Sequence, residues 1–100
     1  MRLATTERNA IVAAVARHFG PEVHARLFGS RADDEARGGD IDLYLDVELA
    51  DAREVLRRKL ALVAELHERL GEQRIDVVVH RKGGPLLAIH RTAAATGVKL

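Results

Sequence analysis

A long amphipathic helical pattern between two short apolar runs restricts the fold of this chain more than any other feature. Residues 51–70 place apolar side chains at helical spacing, and Asp51 with Glu54 three residues later is typical of a helix start. The flanking runs, residues 40–47 and 74–80, alternate in the manner of strands. A strand, a helix and a second strand normally form a right-handed crossover, so we expect these two strands to be parallel. The predicted apolar stripe of the helix consists of Val55, Leu56, Leu60, Val63, Leu66 and Leu70.

Three aspartates lie at the beginnings of these two strands. Asp40 and Asp42 are separated by one residue, so their side chains share a face about 6 to 7 Å apart along the strand. Asp42 and Asp76 are each the third residue of their predicted strand, and parallel pairing would bring them to one end of the sheet. A cap or a solvent-facing position would explain each acid alone. Three converging acids instead indicate a metal site, because carboxylate oxygens suit hard cations such as Mg²⁺.

A Gly-Ser pair precedes the acids. Gly29 ends a strand predicted over residues 22–28, and Ser30 begins a short helix predicted over residues 30–36. Glycine permits close backbone approach, and free N–H groups at a helix start favour phosphate, although a simple helix N-cap also explains the pair. Gly29 can reach the acids only if the first strand is antiparallel to the other two. Together, the turn and the acids indicate a site for a metal-bound nucleoside triphosphate.

Two more helices complete the predicted fold. The first covers residues 5–19 with Thr5 or Thr6 as its N-cap, and the last begins at Pro85 and ends near Gly97. The predicted fold class is α/β (α+β), with a small three-stranded mixed sheet backed by helices in the order α-β-α-β-α-β-α.

Composition narrows the class of protein further. One hundred residues with 47% hydrophobic content fit a single domain over residues 1–100. Sixteen basic and fifteen acidic residues leave a net charge of +1, which disfavours strong binding to nucleic acid or to an anionic membrane. The chain contains no cysteine and no apolar run of membrane-spanning length, so we expect a cytoplasmic protein.

The pattern of Gly29-Ser30, a gap, and then Asp40-Ile41-Asp42 resembles the signature of the polymerase β-type nucleotidyltransferase superfamily. The sequence Gly29-Ser30-Arg31-Ala32 is most similar to the corresponding segment of its minimal nucleotidyltransferases, often called MNT proteins. Asp76 lies in the later strand where that family places its third metal ligand. The resemblance implies the polymerase β-like nucleotidyltransferase fold, two Mg²⁺ ions held by Asp40, Asp42 and Asp76, and ATP phosphates held near Gly29 and Ser30. Arg31 would either add charge at the leaving pyrophosphate or pair with Asp33 or Asp34.

The resemblance also implies a function. Minimal members of the family are often antitoxins paired with HEPN-domain ribonuclease toxins, which suggests transfer of AMP from ATP to a tyrosine of such a toxin from a neighbouring gene. An antitoxin that acts by direct binding without catalysis is the alternative, and nucleotide transfer to a small molecule is a third possibility. A second copy of the chain is an alternative partner.

Other polar residues have simpler interpretations. The run Asp33-Asp34-Glu35 is most simply a solvated loop, and direct metal binding there is the lesser alternative. Tyr44 either contacts a base or covers the core. The five histidines show no metal-ligand spacing, and only His80, which shares a strand face with Asp76, merits a test.

Overall fold

The computed structural model describes residues 3–32, 39–71 and 73–100. Within them the chain forms three α-helices, which are α1 (Thr5–Phe19), α2 (Ala52–Leu70) and α3 (Ala88–Thr96). It also forms four strands, which are β1 (Ala25–Phe28), β2 (Ile41–Val47), β3 (Ile75–Arg81) and β4 (Val98–Lys99). A single 3₁₀ turn, Gly29–Ala32, follows β1. None of the helices in these ranges combines the length and the hydropathy of a membrane-spanning segment.

The four strands make one mixed sheet in the order β3-β2-β1-β4. β2 and β3 are parallel and β1 is antiparallel to β2, as predicted. The predicted number of three strands is wrong, because β4 adds a fourth strand antiparallel to β1. β4 has only two residues, both exposed, so it carries no alternating apolar pattern by which the sequence could have indicated it.

Helices cover both faces of the sheet. α1 and α2 pack on one face, against the alternating buried residues Leu27, Ile41, Leu43, Leu45 and Val77. α3 packs on the other face, where Ala93 contacts a smaller cluster formed by Phe28, Tyr44 and Val78. The polar positions of β2 and β3, including Asp42 and Asp76, share this second face because strand side chains alternate.

The bounds of α1 and α2 agree closely with prediction, but the cap of α1 and the start of α3 differ. α1 covers the predicted residues, yet its N-cap is Ala4, whose N–H donates to a Glu7 carboxylate oxygen at 3.1 Å. Neither Thr5 nor Thr6 is the cap, because both lie in the first turn. α3 begins at Ala88 and not at Pro85, since Leu87 is extended and its N–H donates to His90 Nδ1 at 3.0 Å.

The buried stripe of α2 also differs from the predicted one. Asp51 caps the helix as expected, accepting hydrogen bonds from two N–H groups of the first turn. The fully buried residues are Leu62 and Leu66, whereas Leu56 and Leu60 are 53% and 60% exposed. The helix therefore carries two apolar stripes, one against the sheet and one facing outward.

Candidate active site

Asp42 and Asp76 lie directly opposite each other on the parallel strands β2 and β3, as predicted. Burial raises the pKa of Asp42 above its usual value, and the negative charge of Asp76 and then of Asp40 raises it further. A hydrogen bond between the side chains of Asp42 and Asp76 acts in the same direction, while Arg74 opposes it. The strand register thus creates a pair of carboxyl groups whose charges repel and which would gain from a nearby cation.

Asp40 lies immediately before β2, close to this pair. Its carboxylate is 3.8 Å from Nε of Arg74, and the carbonyl of Arg74 accepts a hydrogen bond from the N–H of Ile41 at 2.9 Å. Arg74 therefore holds the beginning of β2 through its backbone and offers positive charge to Asp40 through its side chain. Sequence reasoning missed Arg74, although the predicted parallel register already placed it opposite Asp40.

Gly29 lies against the acid pair because β1 is antiparallel to β2 and Phe28 is the register partner of Asp42. Gly29 has φ of +71°, in the left-handed region that L side chains rarely adopt. A Cβ atom added to Gly29 would collide with Oδ2 of Asp42. Only glycine fits this position without displacing the carboxylate, so the backbone of the turn packs directly beside Asp42.

The remaining two predicted phosphate-binding residues follow in the 3₁₀ turn. Ser30 contributes its backbone to this turn, and its side chain is outside the described part of the structure. The predicted helix over residues 30–36 begins as this four-residue 3₁₀ turn, and its later residues fall outside the described ranges. Asp33, Asp34 and Glu35 also fall outside them, so the predicted loop and any pairing with Arg31 stay predictions.

Arg31 connects the turn to the loops before β2 and β3. Its Nε donates to the carbonyl oxygen of Gly39 at 3.3 Å, and a terminal nitrogen donates to Oε1 of Gln73 at 3.1 Å. Gln73 in turn donates to Glu7 of α1 at 3.0 Å. These contacts give Arg31 a role in positioning the turn relative to the acids, and its expected contact with pyrophosphate stays a prediction.

A cavity of about 670 Å³ opens beside the acid pair. Asp42 and Asp76 line it together with apolar side chains from the sheet, α2 and α3, and Lys59 adds a positive charge. This combination of an apolar wall and a few convergent polar groups is typical of small-molecule sites, and the volume suits a nucleoside or an aromatic side chain.

The carboxylates provide suitable donors for a divalent cation but do not form a complete cage. No group of three histidine, cysteine, aspartate or glutamate side chains among residues 3–32, 39–71 and 73–100 is arranged to hold a metal ion. Mg²⁺ commonly binds one or two protein carboxylates and completes its coordination with water and substrate phosphate oxygens. Asp42 and Asp76, with Asp40 close by, fit that mode in donor type and in charge.

Tyr44 and His80 lie on the same sheet face as the acids but have other roles. Tyr44 is only 3% exposed and packs with Phe28 and Ala93, which supports the core-covering interpretation. His80 is the register partner of Asp46, at the opposite end of β2 and β3. Its ring nitrogens lie 3.2 Å from Oδ1 of Asp46 and 3.2 Å from the carbonyl oxygen of Gly84, so it is not part of the acid cluster.

Comparison with models of known protein families gives no match to this chain, and comparison with curated protein sequences gives none either.

Proposed function

We propose that this chain is a Mg²⁺-dependent nucleotidyltransferase that moves AMP from ATP to a hydroxyl group. The observation that carries this proposal is the register pairing of Asp42 with Asp76, with the backbone of Gly29 packed against Asp42. Two like charges on adjacent strands are unfavourable for folding alone, which supports a functional reason for them. The pattern of Gly29, Ser30, Asp40, Asp42 and Asp76 resembles that of polymerase β-type nucleotidyltransferases, and the polymerase β-like fold is part of the proposal.

Each residue has a defined task under this proposal. Asp42 and Asp76, with Asp40, would hold Mg²⁺, which when bound neutralises phosphate charge and makes an acceptor hydroxyl more acidic. Gly29 allows the backbone of the turn to approach this position, and we assign the phosphate oxygens of ATP to that backbone. The apolar lining of the cavity beside the acids would contact the base or the acceptor side chain.

The proposed acceptor is a tyrosine of a partner protein. The resemblance to minimal nucleotidyltransferases suggests a HEPN-domain ribonuclease toxin from a neighbouring gene, which the chain would inactivate as an antitoxin. The apolar lining of the cavity beside Asp42 and Asp76 is compatible with an aromatic acceptor side chain.

A second candidate is an antitoxin that neutralises its partner by binding alone. One observation favours it. The outward stripe of α2 exposes Leu56 and Leu60, and exposed apolar surface of this kind is typical of protein interfaces.

Intact mass spectrometry tests the proposed function. The pure chain is incubated with ATP and Mg²⁺, with and without the product of the neighbouring gene, and both masses are recorded. We expect the partner to gain one or more AMP units. Asp42→Asn and Asp76→Asn should abolish the gain, whereas Asp46→Asn, on the same strand as Asp42 but paired with His80, should retain it.

The outcomes separate the candidates. A stable complex without any mass change would contradict the proposed transfer and favour the binding antitoxin. Equal transfer by the Asp42→Asn variant would show that another site performs the reaction.

A further inference from the structure

A groove runs between α2 and residues 84–90 and ends at the acid pair. It consists of two cavities, one of about 270 Å³ and the one of about 670 Å³ beside Asp42 and Asp76. Lys59 lines both of them. Leu56 and Pro85 border the smaller cavity, and Leu60 and Ile89 border the larger one. We call this surface the α2–α3 groove.

The α2–α3 groove is bordered by apolar side chains that the fold leaves uncovered. Seven large hydrophobic residues are exposed in the described part of the chain. Three of the seven line the groove, and they are Leu56, Leu60 and Ile89, each between 46% and 60% exposed. Single exposed leucines need no explanation, but several along one groove are typical of a protein-binding surface.

The smaller cavity is basic. Lys59, His80, Arg81 and His90 line it, and none of the acidic side chains that the structure describes does. His80 already binds Asp46 and the carbonyl of Gly84, and Arg81 donates to the carbonyl of Ala50. Lys59 has no hydrogen bond or ion pair with any described residue, so its ammonium group is available to a ligand.

His90 supplies a second available donor to this cavity. Its side chain is buried, with 8% exposure, and its Nδ1 accepts the hydrogen bond from the N–H of Leu87. A neutral ring that accepts at Nδ1 carries its proton on Nε2. Nε2 has no partner within the described ranges, so the cavity offers two donors, from Lys59 and His90, and both favour a carboxylate.

We propose that the α2–α3 groove binds an amphipathic, acidic helix of a partner protein. Apolar residues of that helix would cover Leu56, Leu60 and Ile89, and one of its carboxylates would bind Lys59 and His90. Helix-in-groove binding uses such an apolar stripe with charged flanks. The groove ends at Asp42 and Asp76, so a hydroxyl on the bound partner would be brought to the acid pair; this last step rests on the proposed nucleotidyltransferase function.

Charge favours this occupant over a second copy of the chain. In a symmetric dimer formed through this face, the Lys59 side chains would be brought to the same interface, and like charges there are unfavourable. An acidic partner removes that repulsion and satisfies the two donors.

The binding step can be tested without ATP or metal. A phage-displayed library of helical peptides, randomised on one face and at the flanking positions, is selected against the folded chain. Binding of the selected peptides to variants is then measured by fluorescence anisotropy. We expect the selected peptides to combine Leu or Ile at helical spacing with Asp or Glu. Leu60→Asp should weaken their binding at least tenfold, while Val12→Asp, at an exposed apolar position on α1, should leave it unchanged.

A charge exchange makes the test more specific. Lys59→Glu should weaken binding of the acidic peptides at least tenfold, and replacing their acidic residues by lysine should restore it. Selected peptides without acidic enrichment, or with equal affinity for the Leu60→Asp variant, would overturn the proposal. Sedimentation showing a dimer that Leu60→Asp dissociates, or binding to phosphatidylserine vesicles that Leu60→Asp abolishes, would also overturn it.

The experiments can contradict the proposed function without contradicting this inference. None of these binding measurements uses ATP or a metal ion, so their result does not depend on nucleotide transfer. Peptide binding without any AMP transfer would therefore contradict only the nucleotidyltransferase proposal.

Discussion

The two ends of the β2–β3 strand pair use the same geometry in opposite ways. At one end, register pairing places Asp42 opposite Asp76, and the pKa of Asp42 is raised by burial and by the neighbouring acids. Four residues further along, the same register places Asp46 opposite His80, whose ring binds both Asp46 and the carbonyl of Gly84. One pair is unfavourable by charge and the other satisfies its polar groups.

This difference indicates where the fold tolerates an interaction that lowers its stability. Cross-strand pairs of opposite charge stabilise a sheet, and like charges directly opposite each other destabilise it. Proteins commonly retain such local costs at sites that bind ions or substrates. The contrast between the Asp42–Asp76 and Asp46–His80 pairs therefore separates a candidate active site from a structural contact on the same two strands.

Divalent-ion binding should show the largest difference between the two ends. We expect Asp42→Asn or Asp76→Asn to weaken binding of Mn²⁺, used in place of Mg²⁺, at least about a hundredfold, because each removes a ligand charge. Asp46→Asn is the control and should change the affinity less than about threefold. Isothermal titration calorimetry measures all three. Equal weakening in the Asp46→Asn variant would remove the distinction between the ends.

Alanine at Gly29 should be the most destabilising of the small substitutions. Gly29→Ala combines the strain of a positive φ with a collision against Asp42, and we expect a loss of about 2–3 kcal/mol in the free energy of unfolding. Gly83→Ala is the control, because Gly83 has φ of +78° but an added Cβ would meet nothing within 4 Å. It should cost about 1 kcal/mol. Urea unfolding followed by far-ultraviolet circular dichroism suits a chain without tryptophan. Equal losses of stability in the two variants would show that the close contact with Asp42 does not add to the effect of the positive φ.

The same aspartate-to-asparagine change should have opposite effects on stability at the two ends. With EDTA present at pH 7, Asp42→Asn removes a repelling charge and should stabilise the fold by up to about 1 kcal/mol. Asp46→Asn weakens the contact with His80 and should destabilise it by about 0.5 kcal/mol. Urea unfolding of both variants in parallel measures the difference. If Asp42→Asn instead lowered the free energy of unfolding, the acid pair would stabilise the fold, which would contradict the expected repulsion.

Substitution of Glu65 should have the smallest effect on the free energy of unfolding. Glu65 is a carboxylate surrounded by cations, in contrast to Asp42, which lies among other acids. It accepts hydrogen bonds from Arg17 and Arg69 and contacts His18 at 3.0 Å, and these partners, Arg17 first, lower its pKa to about 2. A lowered pKa means that the ionised form stabilises the folded state. This contribution is complete above the unfolded-state pKa of about 4.3 and is lost as pH falls towards 2.

Glu65→Gln should therefore lower the free energy of unfolding at pH 7 by no more than about 1 kcal/mol, because Arg17 and Arg69 are half exposed. The difference from the natural chain should disappear as pH approaches 2. Glu68→Gln, on the same helix but with no ion pair among the described residues, is the matched control and should change the free energy of unfolding at pH 7 less than Glu65→Gln does. Urea unfolding at several pH values tests this, and a difference that persists at low pH would contradict it.

Much of the fold could be predicted, because helix and strand patterns are local in the sequence and the handedness of the crossover follows from the chirality of the residues. The apolar alternation of β2 and β3 around a long helix predicted their parallel pairing, and counting residues from each strand start predicted that Asp42 faces Asp76. The antiparallel direction of β1 followed from requiring Gly29 to reach the acids. β4 could not be predicted in this way, because its two exposed residues show no apolar alternation. Backbone hydrogen bonds to β1 hold it in the sheet.

The site was predictable in its acids and less so in its surroundings. Aspartates in strands are uncommon enough to be noticed, whereas Arg74 and Lys59 resemble any other surface cation until the strands and helices are assembled. The sequence also could not separate the two apolar stripes of α2. Leu56 and Leu62 are both leucines in a helical pattern, and only the position of the sheet decides which of them is buried.

By itself, the sequence determined the three helices, the three main strands, the crossover between β2 and β3, and the identity of the three acids. These depend on residue spacing and on backbone sterics, which are properties of the chain alone. The tertiary structure decided that Gly29 packs against Asp42 and that Leu56 and Leu60 line a groove ending at the acids. Those relations join residues far apart in the chain, so they exist only after the sheet and helices have packed together.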